Sequence, residues 1–361
     1  MVLGLNNSII WNKKISEFDP NTVVDPTYIY GTTSNQTGLI AWYDFTDQSS
    51  VYKNIEAAIS ISENENIGRI ENKLFPGMGA FLRAITSGTG TFGAAGDEAP
   101  VWKTDGANGH SYAEFDSTGF SGGGQCLVGS DYYDLSDKGH GGGVGSGGSG
   151  SSFPWLNGFL YLFFSNGASS PNDNRFCMQE VDNHNFTVIW VVEPSATTYG
   201  GSGEQTHWLI RPDDASDSGT GRDAETYFEA KFDANDDKLK ITLNCEDQNS
   251  GSGTKYSTST GIPAVSGPLI LIAEFKSGSN KMQIRNMTTG QNDTTTITTN
   301  STYNMTSGMM SLGRWSLGNV NSGHTADSGF DGKFYEIMMW NTLLTDDQHT
   351  QVHDHLYYKY N

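Results

Sequence analysis

The sequence predicts an all-β chain: a two-sheet antiparallel β-sandwich closed by a short C-terminal helix. Three observations carry that prediction. The 361 residues include 44 glycines, with 12 % aromatic and only 17 % charged residues, a profile that suits many strands joined by polar turns. Apolar or alternating runs of strand length recur from residue 38 onward, and each is too short for a helix of ordinary length. One segment near the carboxyl end carries helix start signals. A chain of this length can bury one large β core.

Residues 1–37 hold only short apolar pieces, at 8–11 and 23–24, broken by Pro20 and Pro26. With neither strand nor helix periodicity, this stretch is expected to be an extended arm, either a leader or a segment that orders against a neighbouring subunit. The run at 38–45, GLIAWYDF, is apolar on both faces, as expected of a strand covered on each side. The sandwich is expected to begin here and to reach residue 361. Residues 53–100 read as a less regular excursion, and 101–115 return to a strand, turn and strand. The stretch at 139–152 is a flexible loop by composition, a linker between domains or a long surface loop, since glycine and serine impose little backbone preference and leave nothing to bury. Its glycines lack the order of a phosphate-cradling loop.

Strands are then expected at 186–192 and at 227–232, the latter paired with 239–243. In that last strand Leu239, Ile241 and Leu243 alternate with Lys240 and Thr242, which places one face on the core and one toward water. Further strands are expected at 269–275, 281–285, 294–299 and 333–340. The helix follows, with Thr345 as N-cap, Gln348 completing a capping box, and Asp346 and Asp347 in the first turn. It is expected to run to about residue 358 and to pack Val352 and Leu356 on the sandwich.

The formal net charge of −20 is spread along the chain, and no run of lysine or arginine offers a track for phosphates. Nucleic acid and anionic membranes are therefore not expected partners. No segment approaches the roughly 20 apolar residues of a membrane span, and the first residues lack the pattern of a secretion signal. Cys126, Cys177 and Cys245 are too few and too widely spaced for a disulfide framework or a recognisable zinc site. Sequons such as the one at Asn286 arise by chance in a chain rich in Asn, Ser and Thr.

The segment 330–348, FDGKFYEIMMWNTLLTDDQ, followed by Val352, Leu356, Lys359 and Tyr360, resembles the closing signature of concanavalin A-like, laminin-G-like jelly rolls. In that signature a glycine opens a strand carrying a glutamate, an asparagine follows, and a short helix closes the domain. The run at 38–45 is similar to the family's opening strand, 106–116 to its hairpin, and 186–194 to the strand that starts its second half. The resemblance covers about residue 38 to the end, on both sides of 139–152, and it implies that this stretch is a long surface loop and that two antiparallel sheets pack together. Because the fold hosts lectins, glycosidases, adhesion domains and virion proteins alike, function has to be argued from sites.

Glycosidases of this fold carry three acids at alternate positions of one strand, where side chains share a face. Glu180 and Asp182 begin that pattern, but it ends in His184, so no catalytic residues are expected. Asp233, Asn235 and Asp237 place oxygen ligands at alternate positions, as calcium loops do; the same residues also suit a hairpin turn. Asp213, Asp214 and Asp217 form a second acidic loop with the same two readings. Calcium is thus the one cofactor to consider. His349 and His353, or His353 and His355, lie close enough on the helix for a metal, but without a third ligand they read as a solvated face. Trp155, Tyr161 and Tyr199 read equally as sugar-stacking or as core aromatics.

Together with the arm and the Asn/Thr/Gly-rich composition, the resemblance extends to laminin-G-like domains in virion proteins of tailed bacteriophages. It implies a non-enzymatic structural protein of the virion, a capsid decoration or a fibre or tail component. The arm is then expected to dock on other virion proteins, with the sandwich in multiple copies or as a homo-oligomer, facing solvent and either stabilising the particle or touching host glycans. The competing expectation is a secreted bacterial lectin or adhesin.

Overall fold

The computed structural model describes residues 39–54, 58–73, 81–84, 99–116, 125, 127–130, 185–195, 204–211, 227–233, 238–245, 254–261, 267–276, 281–296, 309–312, 329–340 and 343–361. In chain order the strands are β1 (Leu39–Asp44), β2 (Val51–Tyr52), β3 (Arg69–Glu71), β4 (Phe81–Ala84), β5 (Val101–Lys103) and β6 (Tyr112–Phe115). They continue as β7 (Leu127–Ser130), β8 (Asn185–Pro194), β9 (Glu204–Arg211), β10 (Tyr227–Asp233), β11 (Lys238–Cys245) and β12 (Thr254–Gly261). The last are β13 (Leu269–Lys276), β14 (Lys281–Asn286), β15 (Gln291–Thr296), β16 (Met309–Leu312) and β17 (Gly332–Trp340), followed by helix α1 (Asp346–Tyr360).

These strands form two antiparallel sheets. Sheet I has eight strands in the order β15-β14-β13-β8-β17-β6-β5, with β1 also on β17; sheet II has nine, β12-β11-β10-β9-β16-β7-β4-β3-β2. The first and last strands are thus neighbours, Asp44 opposite Glu336 and Leu39 opposite Trp340. The protein is a two-sheet antiparallel β-sandwich with a C-terminal helix, as its sequence predicts.

Side-chain alternation sorts sheet I into two faces. Val188, Trp190, Val192, Leu269, Leu271, Ala273, Phe334, Ile337 and Met339 join Trp208, Ala230, Phe232, Leu239 and Ile241 of sheet II in the core between the sheets. Ile189, Val191, Ile270, Ile272, Met338 and Trp340 point the other way, onto Leu344, Val352, Leu356 and Tyr360. The described residues therefore form three layers, with sheet I in the middle. This is why β1, β8, β13 and β17 read as apolar on both faces.

The capping box at Thr345 forms as expected: its Oγ1 accepts from Gln348 N at 3.3 Å, and Gln348 Oε1 accepts from Thr345 N at 2.7 Å. At the other end Asn108 Nδ2 donates to the Lys359 carbonyl at 3.1 Å, so the turn before β6 satisfies part of the exposed helix terminus. That turn needs Gly106, where a Cβ would lie 2.5 Å from His110 O. Gly332 is needed too, at φ +145° and with Glu193 O 2.5 Å from the place of a Cβ.

The strand expected at 294–299 lies instead at Gln291–Thr296. A tight turn sets it three residues earlier, with Gly290 N donating to Asn286 O at 2.8 Å and Gly290 at φ +75°. Asn286 is itself buried and accepts from Thr289 N, which closes that sequon to a glycan. The arm at 1–37 and the glycine-rich stretch at 139–152 lie outside the described residues.

Candidate functional site

Among the described residues, buried charged side chains meet at the seam between α1 and sheet I and on β10 of sheet II. The seam is built by a register irregularity. Phe334 pairs with Val192 and Glu336 with Val191, so Tyr335 is the extra residue of a bulge. Tyr335 and Glu336 both turn toward the helix while Phe334 and Ile337 stay in the core.

Glu336 is fully buried there. Its Oε1 accepts from Lys359 Nζ at 2.8 Å and from the Tyr360 hydroxyl at 2.5 Å, and its Oε2 accepts from Trp42 Nε1 at 3.1 Å. Lys359 Nζ also lies 3.3 Å from both carboxylate oxygens of Asp44. Lys73 Nζ is 3.0 Å from Asp44 and from Asp47, and it sits 4.4 Å above the Trp42 ring.

Burial works to raise the Asp44 pKa, yet Lys359 and Lys73 outweigh it and hold the carboxyl below its usual range. Burial likewise works against the charge on Lys359, but Glu336 and Asp44 hold its pKa above the usual value. Lys73 is raised in the same way by Asp44 and Asp47. These groups are locked as ions, and none is set to exchange a proton near neutral pH. The arrangement clamps the helix onto β1 and β17.

A second contact holds the first turn. His349 Nε2 lies 3.0 Å from Glu274 Oε1, Arg285 lies 3.9 Å from Glu274 Oε2, and Arg285 Nη1 reaches Asp346 at 3.4 Å. His349 and Glu274 are both buried. The sequence expectation of a solvated histidine face is therefore corrected for His349, which packs inward because the helix stripe that carries Val352 and Leu356 also carries position 349. His353 and His355 are partly buried, and His353 lies over Tyr357 at 5.7 Å. Among the described residues, no cluster of three or more His, Cys, Asp or Glu side chains is placed to hold a metal ion.

Inside the sandwich, β9 bulges against β10: Ala230 pairs with Trp208 and Lys231 with Thr206, leaving His207 as the extra residue. His207 and Trp208 both reach the core, where Trp190 Nε1 donates to His207 Nδ1 at 3.1 Å and the Trp190 and Trp208 rings meet edge to face at 5.5 Å. Burial lowers the His207 pKa to about 3, so it stays neutral and structural.

The outer face of sheet II differs in kind. With Ala230, Phe232, Leu239 and Ile241 turned inward, alternation turns Glu229, Lys231 and Lys240 outward. Lys231 stands opposite Lys240 and also opposite Thr206. Lys231 Nζ pairs with the buried Glu229 at 2.9 Å. Asp233, the first residue of the expected calcium set, ends β10 opposite the exposed Lys238. Asn235 and Asp237 lie outside the described residues, as do Glu180, Asp182, His184, Asp213, Asp214, Asp217, Trp155, Tyr161 and Tyr199.

Sequence reasoning passed over Asp44, Glu274, Glu336 and Lys359 as site residues. The signal was a lone acid within an apolar strand, as in LILIAEF and FYEIMMW; a charge there demands a partner. The family resemblance pointed to a glutamate in the last strand, but not to what it holds.

No family model and no curated protein matches the chain. Among solved structures, it is similar to the CBM40 domain of a Ruminococcus gnavus IT-sialidase, bound to α2,6-sialyllactose, with 11 % identity, 46 % of this chain and 81 % of that chain covered, and a TM-score of 0.33. It is also similar to the enzymatically active domain of tailspike protein 2 of bacteriophage CBA120, at 10 % identity over 71 % of this chain and 29 % of that one, with a TM-score of 0.35. A GH54 α-L-arabinofuranosidase shares 13 % identity over 88 % of this chain and 63 % of that one, with a TM-score of 0.44. Likenesses this distant carry nothing about activity.

Proposed function

We propose that this chain is a non-enzymatic virion protein of a tailed bacteriophage, a capsid decoration or a fibre or tail component, presenting a concanavalin A-like, laminin-G-like sandwich that binds glycans. The binding surface in this reading is the outer face of sheet II. The observation that carries it is the contrast between the two outer faces. Sheet I spends its outer face on the helix, with its charges locked in pairs. Sheet II turns Lys231 and Lys240 outward opposite one another on β10 and β11, both partly exposed, and their ammonium groups are donors of the kind that hydroxyl-rich sugars match, while Glu229 and Thr206 beside them are buried.

A glycan array run with and without calcium tests the binding. Binding that falls at least about tenfold in Lys240→Ala, a loss of roughly 1.4 kcal/mol, supports sheet II as the surface; an array with no bound glycan sinks the glycan reading. The virion reading is tested separately. Deleting residues 1–35 should abolish incorporation into particles while the sandwich stays folded, and purified particles that lack the chain by mass spectrometry would remove it.

A further inference from the structure

The outward face of α1 belongs neither to the clamp on sheet I nor to sheet II. Val352, Leu356 and Tyr360 point inward, and Lys359 turns its ammonium to Asp44 and Glu336. Among the described residues, Tyr357 and Tyr358 are the exposed aromatic side chains, at 46 % and 39 %. Their rings are held in place. His353, one turn before Tyr357, packs against it with ring centroids 5.7 Å apart and planes tilted by 32°. Tyr358 meets Tyr357 at 5.7 Å and 84°, so the two tyrosines form a corner. Asp354 is exposed and lies one turn before that corner, three and four residues from its two rings, the spacings that make side chains neighbours on a helix. It stands 3.4 Å from His353 Nδ1. Helix stability alone does not call for this arrangement, since ring pairs at such spacings add little.

The geometry points to a sugar-binding platform on the outer face of α1, where the apolar face of a neutral pyranose ring stacks on Tyr357 in the corner made with Tyr358, and Asp354 accepts from its hydroxyls. A pyranose carries C–H groups on one face and hydroxyls around its rim. The negative face of an aromatic ring attracts the first, and a carboxylate accepts hydrogen bonds from the second. A protein partner fits less well: the core of a protein interface is built from residues that lose contact with water, and both aliphatic side chains of α1, Val352 and Leu356, are spent on the sandwich. Charge selects among sugars. Asp347 and Asp354 are the exposed acids of this face, Asp346 is paired with Arg285, and the one lysine of the helix is turned inward. An anionic sugar is therefore repelled. The platform stands apart from the glycan surface proposed on sheet II, because sheet I lies between them.

Titration of the full chain with methyl galactopyranoside, methyl glucopyranoside and N-acetylneuraminic acid, followed by amide NMR, tests the platform. Shifts should gather over 350–361 with at least one neutral glycoside and be absent with the acid. Tyr357→Ala should weaken that binding at least about tenfold, whereas Tyr357→Phe, which keeps the ring, should bind as the parent does. Lys240→Ala should leave the shifts over 350–361 unchanged, so failure at α1 and failure at sheet II are read separately. The platform is overturned by any of three results: no shift over 350–361 with either neutral glycoside, an equal response to the acid, or a Lys240→Ala variant that loses these shifts. Binding that survives Tyr357→Ala, or that falls equally in Tyr357→Phe, overturns it as well. The parent's contrast between neutral and acidic sugars decides even where a variant folds poorly.

Discussion

The two outer faces of the sandwich rest on the same antiparallel scaffold and are used in opposite ways. On sheet I, Ile189, Val191, Ile270, Ile272, Met338 and Trp340 are sealed by α1, and each such fully buried side chain is worth on the order of 1.5–3 kcal/mol. The charges at that seam are shared by many partners: Glu336 alone serves Lys359, Tyr360 and Trp42. On sheet II the outward residues of β10 and β11 alternate with the core, and Glu229 pairs with its neighbour Lys231 two residues on. A networked seam resists change at any one member.

The largest expected effect lies at the seam. Glu336→Ala leaves the Tyr360 hydroxyl and Trp42 Nε1 without their acceptor and Lys359 with Asp44 alone, and should cost about 3–5 kcal/mol in urea unfolding. A loss under about 1 kcal/mol would break the comparison.

Next comes the core between the faces. The folded pKa of His207 lies near 3 against 6.5 unfolded, so the unfolded chain binds the extra proton within that window. Its contribution is complete above pH 6.5 and is lost as pH falls, by about 2–3 kcal/mol between pH 6.5 and 4.5. Unfolding midpoints measured across that range in wild type and His207→Gln should differ in slope, the variant being flatter.

On sheet II the joint replacement Glu229→Met, Lys231→Met should change stability by no more than about 1–2 kcal/mol in either direction, since pair and apolar isostere nearly balance. Each single replacement should cost more than the double one, and additive singles would show that the pair is not a unit. The smallest effect is Thr345→Ala, which removes one cap bond and should cost about 1 kcal/mol by thermal melting.

Much of the fold is legible in local sequence. Alternation in 239–243 predicts one face inward, and Leu239 and Ile241 are indeed in the core. Thr345 and Gln348 announce the helix start because a capping box is a local arrangement of four residues. Short or polar strands such as β2, β3, β12 and β16 escape such reading, since two to four residues hold no period and β12, TKYSTSTG, has no apolar face. The bulges at Tyr335 and His207 also escape it. A bulge is a mismatch between two strands, and neither strand alone records it.

What the sequence determined by itself is the set of local preferences: strand periods, turn glycines, the capped helix, and acids stranded in apolar runs. Only the tertiary structure decided that Asp44 meets Lys359, 315 positions later in the chain, and that Glu336 turns toward the helix. The reason is physical. Alternation tells which residues share a face, but the partner across that face is chosen by strand order and register, which are settled by packing the whole core at once.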